Sequence, residues 1–297
     1  MQYFRKDPDP LERKITLGEA IKEYDESFEK RWRLALAAFD ARTEDTLAII
    51  GPSSYLLKLG GTRIAIDPQI RRESDLERVK DTIVPFFSRF DAILITHEHD
   101  DHFDIKLSRL LRDTGLTWYL PEGIKPLWVE KSELRPESIR YASPEDVFTL
   151  GGVRVHAFDS PHKPFDADWE MAERGYEITA EGGRLLFPGD IREYAYDAYP
   201  PMRGADLCFA HVWAGNNTVD PDEYMPRMKN AADFFARFAA KKYFLCHLYE
   251  IGRTQHVMWD TEHAEILSGM LKERLPGITA KAPTLGRLYN PFTGEEI

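Results

Sequence analysis

The spacing of apolar residues divides the chain into a helical opening and a long succession of short strands and helices. Leu17, Ala20, Ile21, Tyr24, Phe28, Trp32, Ala35 and Phe39 recur at three- and four-residue intervals, the stripe of an amphipathic helix over residues 16–41. Thr16 and Glu19 stand at capping-box spacing at its start. From Thr46 the apolar runs shorten to strand length, at 46–50, 55–59 and 63–66. They are punctuated by Gly51-Pro52 and Gly60-Gly61, a pattern that predicts a meander of hairpins.

Ser74 and Glu77 predict a capped helix over 74–84 that Pro85 stops, and Ala92 to Ile95 reads as a buried strand. Helix follows over 104–112, strand over 117–120, a short helix over 125–131, and a hairpin of 147–150 with 153–158 across Gly151-Gly152. Strands at 184–187, 206–210 and 242–246 alternate with helices at 222–240 and 261–274, an α/β layout. The expected organisation is an N-terminal helical extension, 1–45, and one large domain, 46–297.

With 39 basic against 50 acidic residues the net charge is −11, and no Lys/Arg block interleaved with aromatics occurs. Binding long nucleic acids rests on phosphate neutralisation, so they are not expected as partners. The first ten residues lack a signal-peptide core and no run approaches the ~20 apolar residues that span a bilayer, so the expectation is no membrane span and a cytoplasmic location. Cys208 and Cys246 lie inside apolar runs, where a free Cys acts as a small hydrophobe rather than as a disulfide or ligand.

The run ending at Ile95 leads directly into Thr96-His97-Glu98-His99-Asp100-Asp101-His102-Phe103-Asp104. Packing does not ask for three imidazoles and a carboxylate in an H-x-H-x-D-H arrangement. Glu98, Asp100, Asp101 and Asp104 crowd the loop with no Lys or Arg among them, a repulsion that a divalent cation would relieve. Imidazole mixed with a few carboxylates suits zinc, iron or manganese rather than calcium or magnesium, and one such loop can serve two neighbouring ions.

Other strands run out into residues of the same kind: 153–158 into Asp159-Ser160-Pro161-His162, 184–187 into Pro188-Gly189-Asp190, 206–210 into His211 and 242–246 into His247. Ends of neighbouring strands converge on one rim, where sites form. Asp67, ending the strand at 63–66, is placed to bond a ligand histidine. His211 is read as a substrate contact or a proton donor to the leaving group, whereas mid-strand His156 and helical His263 are read as structural. Loops leaving this edge carry Trp213, Asn216, Tyr249 and Arg253, the expected substrate-binding residues.

On these motifs the chain resembles the metallo-β-lactamase-fold metal-dependent hydrolases. Gly51-Pro52-Ser53-Ser54-Tyr55-Leu56-Leu57 and Ile64-Ala65-Ile66-Asp67-Pro68 resemble the branch with the ascorbate-6-phosphate lactonase and the N-acyl-phosphatidylethanolamine phosphodiesterase. The resemblance runs over about residues 47–275 and implies a four-layer αββα sandwich. It implies His97, His99 and His162 around one ion, Asp101, His102 and His247 around a second, Asp190 bridging them, and Asp67 behind the ligands. Two divalent ions are expected, zinc first, with manganese or iron as alternatives. A metal-bound hydroxide held by Asp101 and Asp190 would cleave a small ester, lactone or phosphodiester. The chain departs from the pattern in its N-terminal helix, in Ile191-Arg192-Glu193-Tyr194 after Asp190, and in the additional His211.

Two competing classes share these motifs. A mononuclear iron sulfur-dioxygenase uses a subset of the same ligands, and a non-catalytic metal-binding module would use them without turnover. His99 stands where flavodiiron oxidoreductases carry Glu. The expected partner is a small-molecule substrate, with homo-oligomerisation left open.

Overall fold

The computed structural model describes residues 17–70, 72–160, 162, 171–192, 194, 202–250 and 257–297, with side chains from Phe28 onward. Strands β1 (Thr46–Ile49), β2 (Tyr55–Leu59), β3 (Thr62–Ile66), β4 (Ala92–Leu94), β5 (Thr117–Pro121) and β6 (Ile139–Ala142) form one sheet, completed at its β1 edge by β14 (Leu288–Tyr289). Strands β7 (Val147–Leu150), β8 (Val153–Asp159), β9 (Arg174–Ala180), β10 (Gly183–Phe187), β11 (Leu207–His211), β12 (Lys242–Cys246) and β13 (Thr279–Lys281) form the other in that order. Each sheet is antiparallel over its hairpins and parallel from β3 to β6 and from β10 to β13.

The period-2 alternation sorts side chains between two cores. Leu47, Ile49, Leu57, Ile64, Ile66 and Leu94 join the core between the sheets, while the alternate Ala48, Leu56, Ala65 and Ile93 face the helices outside the first sheet. There α1 (Leu17–Ala41), α2 (Glu73–Phe87) and α3 (Ile105–Leu111) pack, with α4 (Pro126–Ser132) beside α3. On the second sheet lie α5 (Pro221–Arg237) and α6 (Thr261–Arg274), which completes the αββα sandwich.

Phe28, Trp32, Ala35 and Phe39 of the α1 stripe are buried, and Leu36 joins them. No basic residue stands in the last turn of α1; instead buried Lys58 of β2 donates from Nζ to Phe39 O at 2.8 Å and Arg42 O at 2.5 Å. A cation from the sheet thereby satisfies the orphan carbonyls of the helix end. Thr16, of the expected capping box, lies outside the described residues.

Several expectations are corrected. Helix α2 does not stop at Pro85 but runs through it to Phe87, because Pro costs only one hydrogen bond in the last turn while Phe86 and Phe87 gain burial. Its N-cap is Arg72, without a side-chain cap, rather than Ser74. Strands β6, β9, β13 and β14 had no apolar run to announce them. Strand β9 contains Arg174, Gly175 and Glu177 and is a strand because β8 and β10 pair with it on both sides.

Candidate metal centre

The carboxyl ends of the parallel strands meet at one edge. Asp67 follows β3, His97 follows β4, Asp190 follows β10, His211 ends β11 and His247 follows β12. His102 N and Phe103 N both donate to His99 O, at 3.0 and 2.8 Å, a turn that brings His102 back beneath His97, with ring centroids 4.0 Å apart. Asp67 and His247 adopt left-handed backbone, φ 45° and 66°, which non-glycine residues hold only when their surroundings dictate it. For His247 a tie is visible, since its N–H donates to Pro52 O at 2.8 Å.

Donor atoms converge in three overlapping groups, each within 4.8 Å: His97, His99 and His162; His97, His102 and Asp190; and Asp101, His102 and His247. Asp190 Oδ2 lies 3.1 Å from His247 Nε2 and 3.4 Å from His102 Nε2. The two Nε2 atoms are themselves 3.3 Å apart, and His97 Nε2 is 2.9 Å from His99 Nδ1. His162 Nε2 is buried without a hydrogen-bond partner. Converging imidazole nitrogens, with carboxylate oxygen between them, form the donor set that a divalent ion of the zinc, manganese or iron kind takes.

The opposite ring edges are anchored. His102 Nδ1 meets Asp67 Oδ2 at 2.7 Å, while Asp67 is itself held by Thr96, from its N–H at 2.7 Å and from its hydroxyl at 2.6 Å. His162 Nδ1 meets Glu173 Oε2 at 2.8 Å; Glu173 Oε1 accepts the Asp190 N–H and stands 3.5 Å from His97 Nδ1. Fully buried Glu173 therefore braces three donors. Beside it Gly189 has φ 82°, and a Cβ there would stand 2.1 Å from Glu173 Oε1, so only glycine admits the carboxylate.

Burial, then the charges of neighbouring imidazoles, lowers the pKa of His97, and burial with His162 takes His99 to about 4. Burial with the charge of Arg192 takes His162 to about 3. These three are neutral, as ligation requires. For His247 burial acts downward, but Asp190 and Glu250 outweigh it and lift the ring to about 9; His102 is raised likewise, by Asp190 and Asp67 against burial. In the metal-free protein protons offset the carboxylates there.

The expectation of an uncompensated acidic loop is corrected. Glu98 pairs with Lys125 and accepts its N–H at 2.8 Å; Asp104 caps α3 and accepts Ile70 N–H at 2.7 Å; Asp100 is exposed. Cations and backbone donors distant in sequence supply what the loop lacks, and of the four only Asp101 faces the donors, 3.7 Å from His247.

His211 stays outside the donor groups, its ring 6.2 Å from that of His247 and both its nitrogens without a hydrogen bond. With Asp190 and His247 it lines a cavity of about 20 Å³, room for about one water. Trp213 is 4% exposed and lies under Arg192 rather than in the open. Asn216 is exposed, Tyr249 turns its hydroxyl to Thr261 at the start of α6 (2.9 Å), and Arg253 lies outside the described residues. His156 and His263 bond Glu145 and Asp260 away from the donors.

Sequence reading missed Glu173 and Glu250. Glu250 Oε2 lies 3.6 Å from His247 Nδ1, and its spacing of three from His247 was a usable signal. Glu173 had none, since it precedes a strand that the pattern does not reveal.

The family profile described as Beta-lactamase superfamily domain matches residues 46–232. A metal-dependent hydrolase of Saccharolobus solfataricus is 24% identical over 48% of this chain, and the matched stretch spans 59% of that relative's length. Among solved structures, the metallo-β-lactamase fold protein YhfI of Bacillus subtilis aligns with TM-score 0.56 and 15% identity, over 82% of this chain and 98% of its own. CmlA, a diiron β-hydroxylase of Streptomyces venezuelae, aligns with TM-score 0.59 and 14% identity, over 82% of this chain and 54% of its own.

Proposed function

The chain belongs to the β-lactamase superfamily, and from that premise we propose that it is a metal-dependent hydrolase of a small ester, lactone or phosphodiester. The observation that carries this reading is the meeting of His102 Nε2, His247 Nε2 and Asp190 Oδ2 within 3.4 Å, with the His102 ring held from behind by Asp67 and the Glu250 carboxylate 3.6 Å from the far nitrogen of His247. His97, His99 and His162 would hold one divalent ion and Asp101, His102 and His247 a second, with Asp190 between them, zinc ahead of manganese or iron. Such ions supply a water acidified to a pKa near 7 and polarise the oxygen of the bond attacked.

The chain's own residues fit water as the nucleophile. Ser53 Oγ is engaged with Asp101 O at 3.0 Å and with Gln69, while burial pushes the Cys246 thiol up to about 12, so among the described residues neither is an activated nucleophile at the edge. Asp101 and Asp190 are the carboxylates that would orient the water and take its proton. Burial brings His211 down to about 3, so it would act through a neutral N–H on the leaving group rather than as an imidazolium acid.

The test is elemental analysis of the purified protein together with an ester, lactone and phosphodiester screen, run with an oxygen electrode. Bound metal with hydrolysis and no oxygen uptake is the expected result. Oxygen consumption by an iron-loaded protein would move the reading to the oxygenase class, and metal binding without turnover on any of the three bond types would make the protein a binding module.

A further inference from the structure

We propose that Arg192 recognises an anionic group of the substrate, so that the molecule cleaved carries a carboxylate or phosphate beside the scissile bond. This inference rests on the hydrolase reading for the word substrate, but not for the binding it asserts. Ile191 is 0% exposed in the core between the sheets, and it separates Asp190 of the donor groups from the partly exposed Arg192. The guanidinium carbon of Arg192 lies 4.8 Å over the ring of Trp213, two residues beyond His211, and Tyr194 Oη donates to Trp213 O at 3.0 Å. The loops leaving β10 and β11 are thus locked together with Arg192 on top, partly open to solvent.

Stacking occupies the face of a guanidinium and leaves its N–H donors free in the plane, the geometry that takes a carboxylate or phosphate by two hydrogen bonds. Other partly buried arginines are spoken for: Arg63 by Asp40, Arg184 by Glu177 and Arg274 by Asp233. Among the described residues no carboxylate pairs with Arg192, in a chain whose net charge of −11 makes acidic partners plentiful. Its charge reaches the donor rings, since it acts on His99, His162 and His211. A cation beside a group of metal donors, with no carboxylate partner among the described residues, fits a ligand that brings negative charge.

Titration calorimetry of the zinc-loaded protein with glutarate, 4-phosphonobutyrate and butyrate tests this without turnover. All three can place one carboxylate on the metal, but only the first two offer a second anion. Wild type should bind these two about 10- to 100-fold more tightly than butyrate, the worth of a charge-assisted pair, and their ratio tells carboxylate from phosphate. Arg192→Gln should erase the preference, and Arg192→Lys should keep part of it, having the charge without the fork. A wild type without the preference, or an Arg192→Gln protein that retains it, overturns the assignment. A protein that shows the preference and loses it in Arg192→Gln, yet cleaves no ester, would overturn the hydrolase reading and leave Arg192 standing.

Discussion

Glu173→Gln is the most informative single perturbation, because one buried carboxylate braces residues from three different strand ends. Its Oε2 is placed to accept a hydrogen bond from His162 Nδ1 at 2.8 Å while Oε1 accepts the Asp190 N–H. A glutamine of the same shape has one acceptor oxygen, so one of the two donors would face an NH2 group instead. A buried donor left unmade costs about 1–3 kcal/mol. Expressed in metal affinity this is about 10- to 100-fold, since each 1.4 kcal/mol is about tenfold. The loss should fall on the ion that His97, His99 and His162 are proposed to hold, and chelator competition against one and two metal equivalents would read the two proposed steps separately. Circular dichroism should show the variant folded, and Glu173→Ala, which removes both acceptors, should lose more. Burial and then the charge of Asp190 push the Glu173 carboxyl well above the usual carboxylate range. If Glu173 works as a neutral acid, glutamine would be a faithful copy and Glu173→Gln would bind metal like wild type. Wild-type affinity in the glutamine variant would show that no acceptor is lost and that Glu173 does not brace the donors as a carboxylate.

Three further outcomes are expected. Gly189→Ala should weaken metal binding in the manner of Glu173→Gln, because its methyl would occupy the place of Glu173 Oε1; unchanged affinity would show that the backbone shifts freely there. Chelator-stripped protein should remain folded, since the core between the sheets is independent of the donors, and global loss of ellipticity on metal removal would contradict this. The Tm of that stripped protein should peak near pH 6.5. His99 and His162, neutral in the fold with values of about 4 and 3, stabilise it fully above their unfolded value near 6.5 and lose that contribution as pH falls below it. His247, raised to about 9, stabilises it below 6.5 and loses that contribution as pH rises toward 9. A thermal scan giving a flat profile between pH 4 and 9 would sink the assignment of these charges.

The amino-acid order alone determined a good deal. Short apolar runs and the 3.6-residue period located β1 to β5, β7, β8, β10 to β12 and the six described helices, because central strands buried on both faces read as continuous apolar runs and helices as apolar stripes. The donors at 97–102 were legible for a different reason, since several histidines and acids in one short loop have no packing purpose, and the strand-end Asp190 and His247 were legible by position. Which donors share a group, and what stands behind them, was decided only by the tertiary structure. His162 joins His97 and His99, and His247 joins Asp101 and His102, although the strands that deliver them, β8 and β12, belong to the second sheet and the loop at 97–102 follows β4 of the first. Glu173 became visible only once β9 was held between β8 and β10 and Arg174 N–H donated to Thr96 O at 2.9 Å, carrying the preceding carboxylate beneath the donors. Lys125 for Glu98 and Lys58 for the end of α1 are long-range partners of the same kind. Local periodicity records which face is buried, whereas a buried polar group is specified by a partner that only folding brings near.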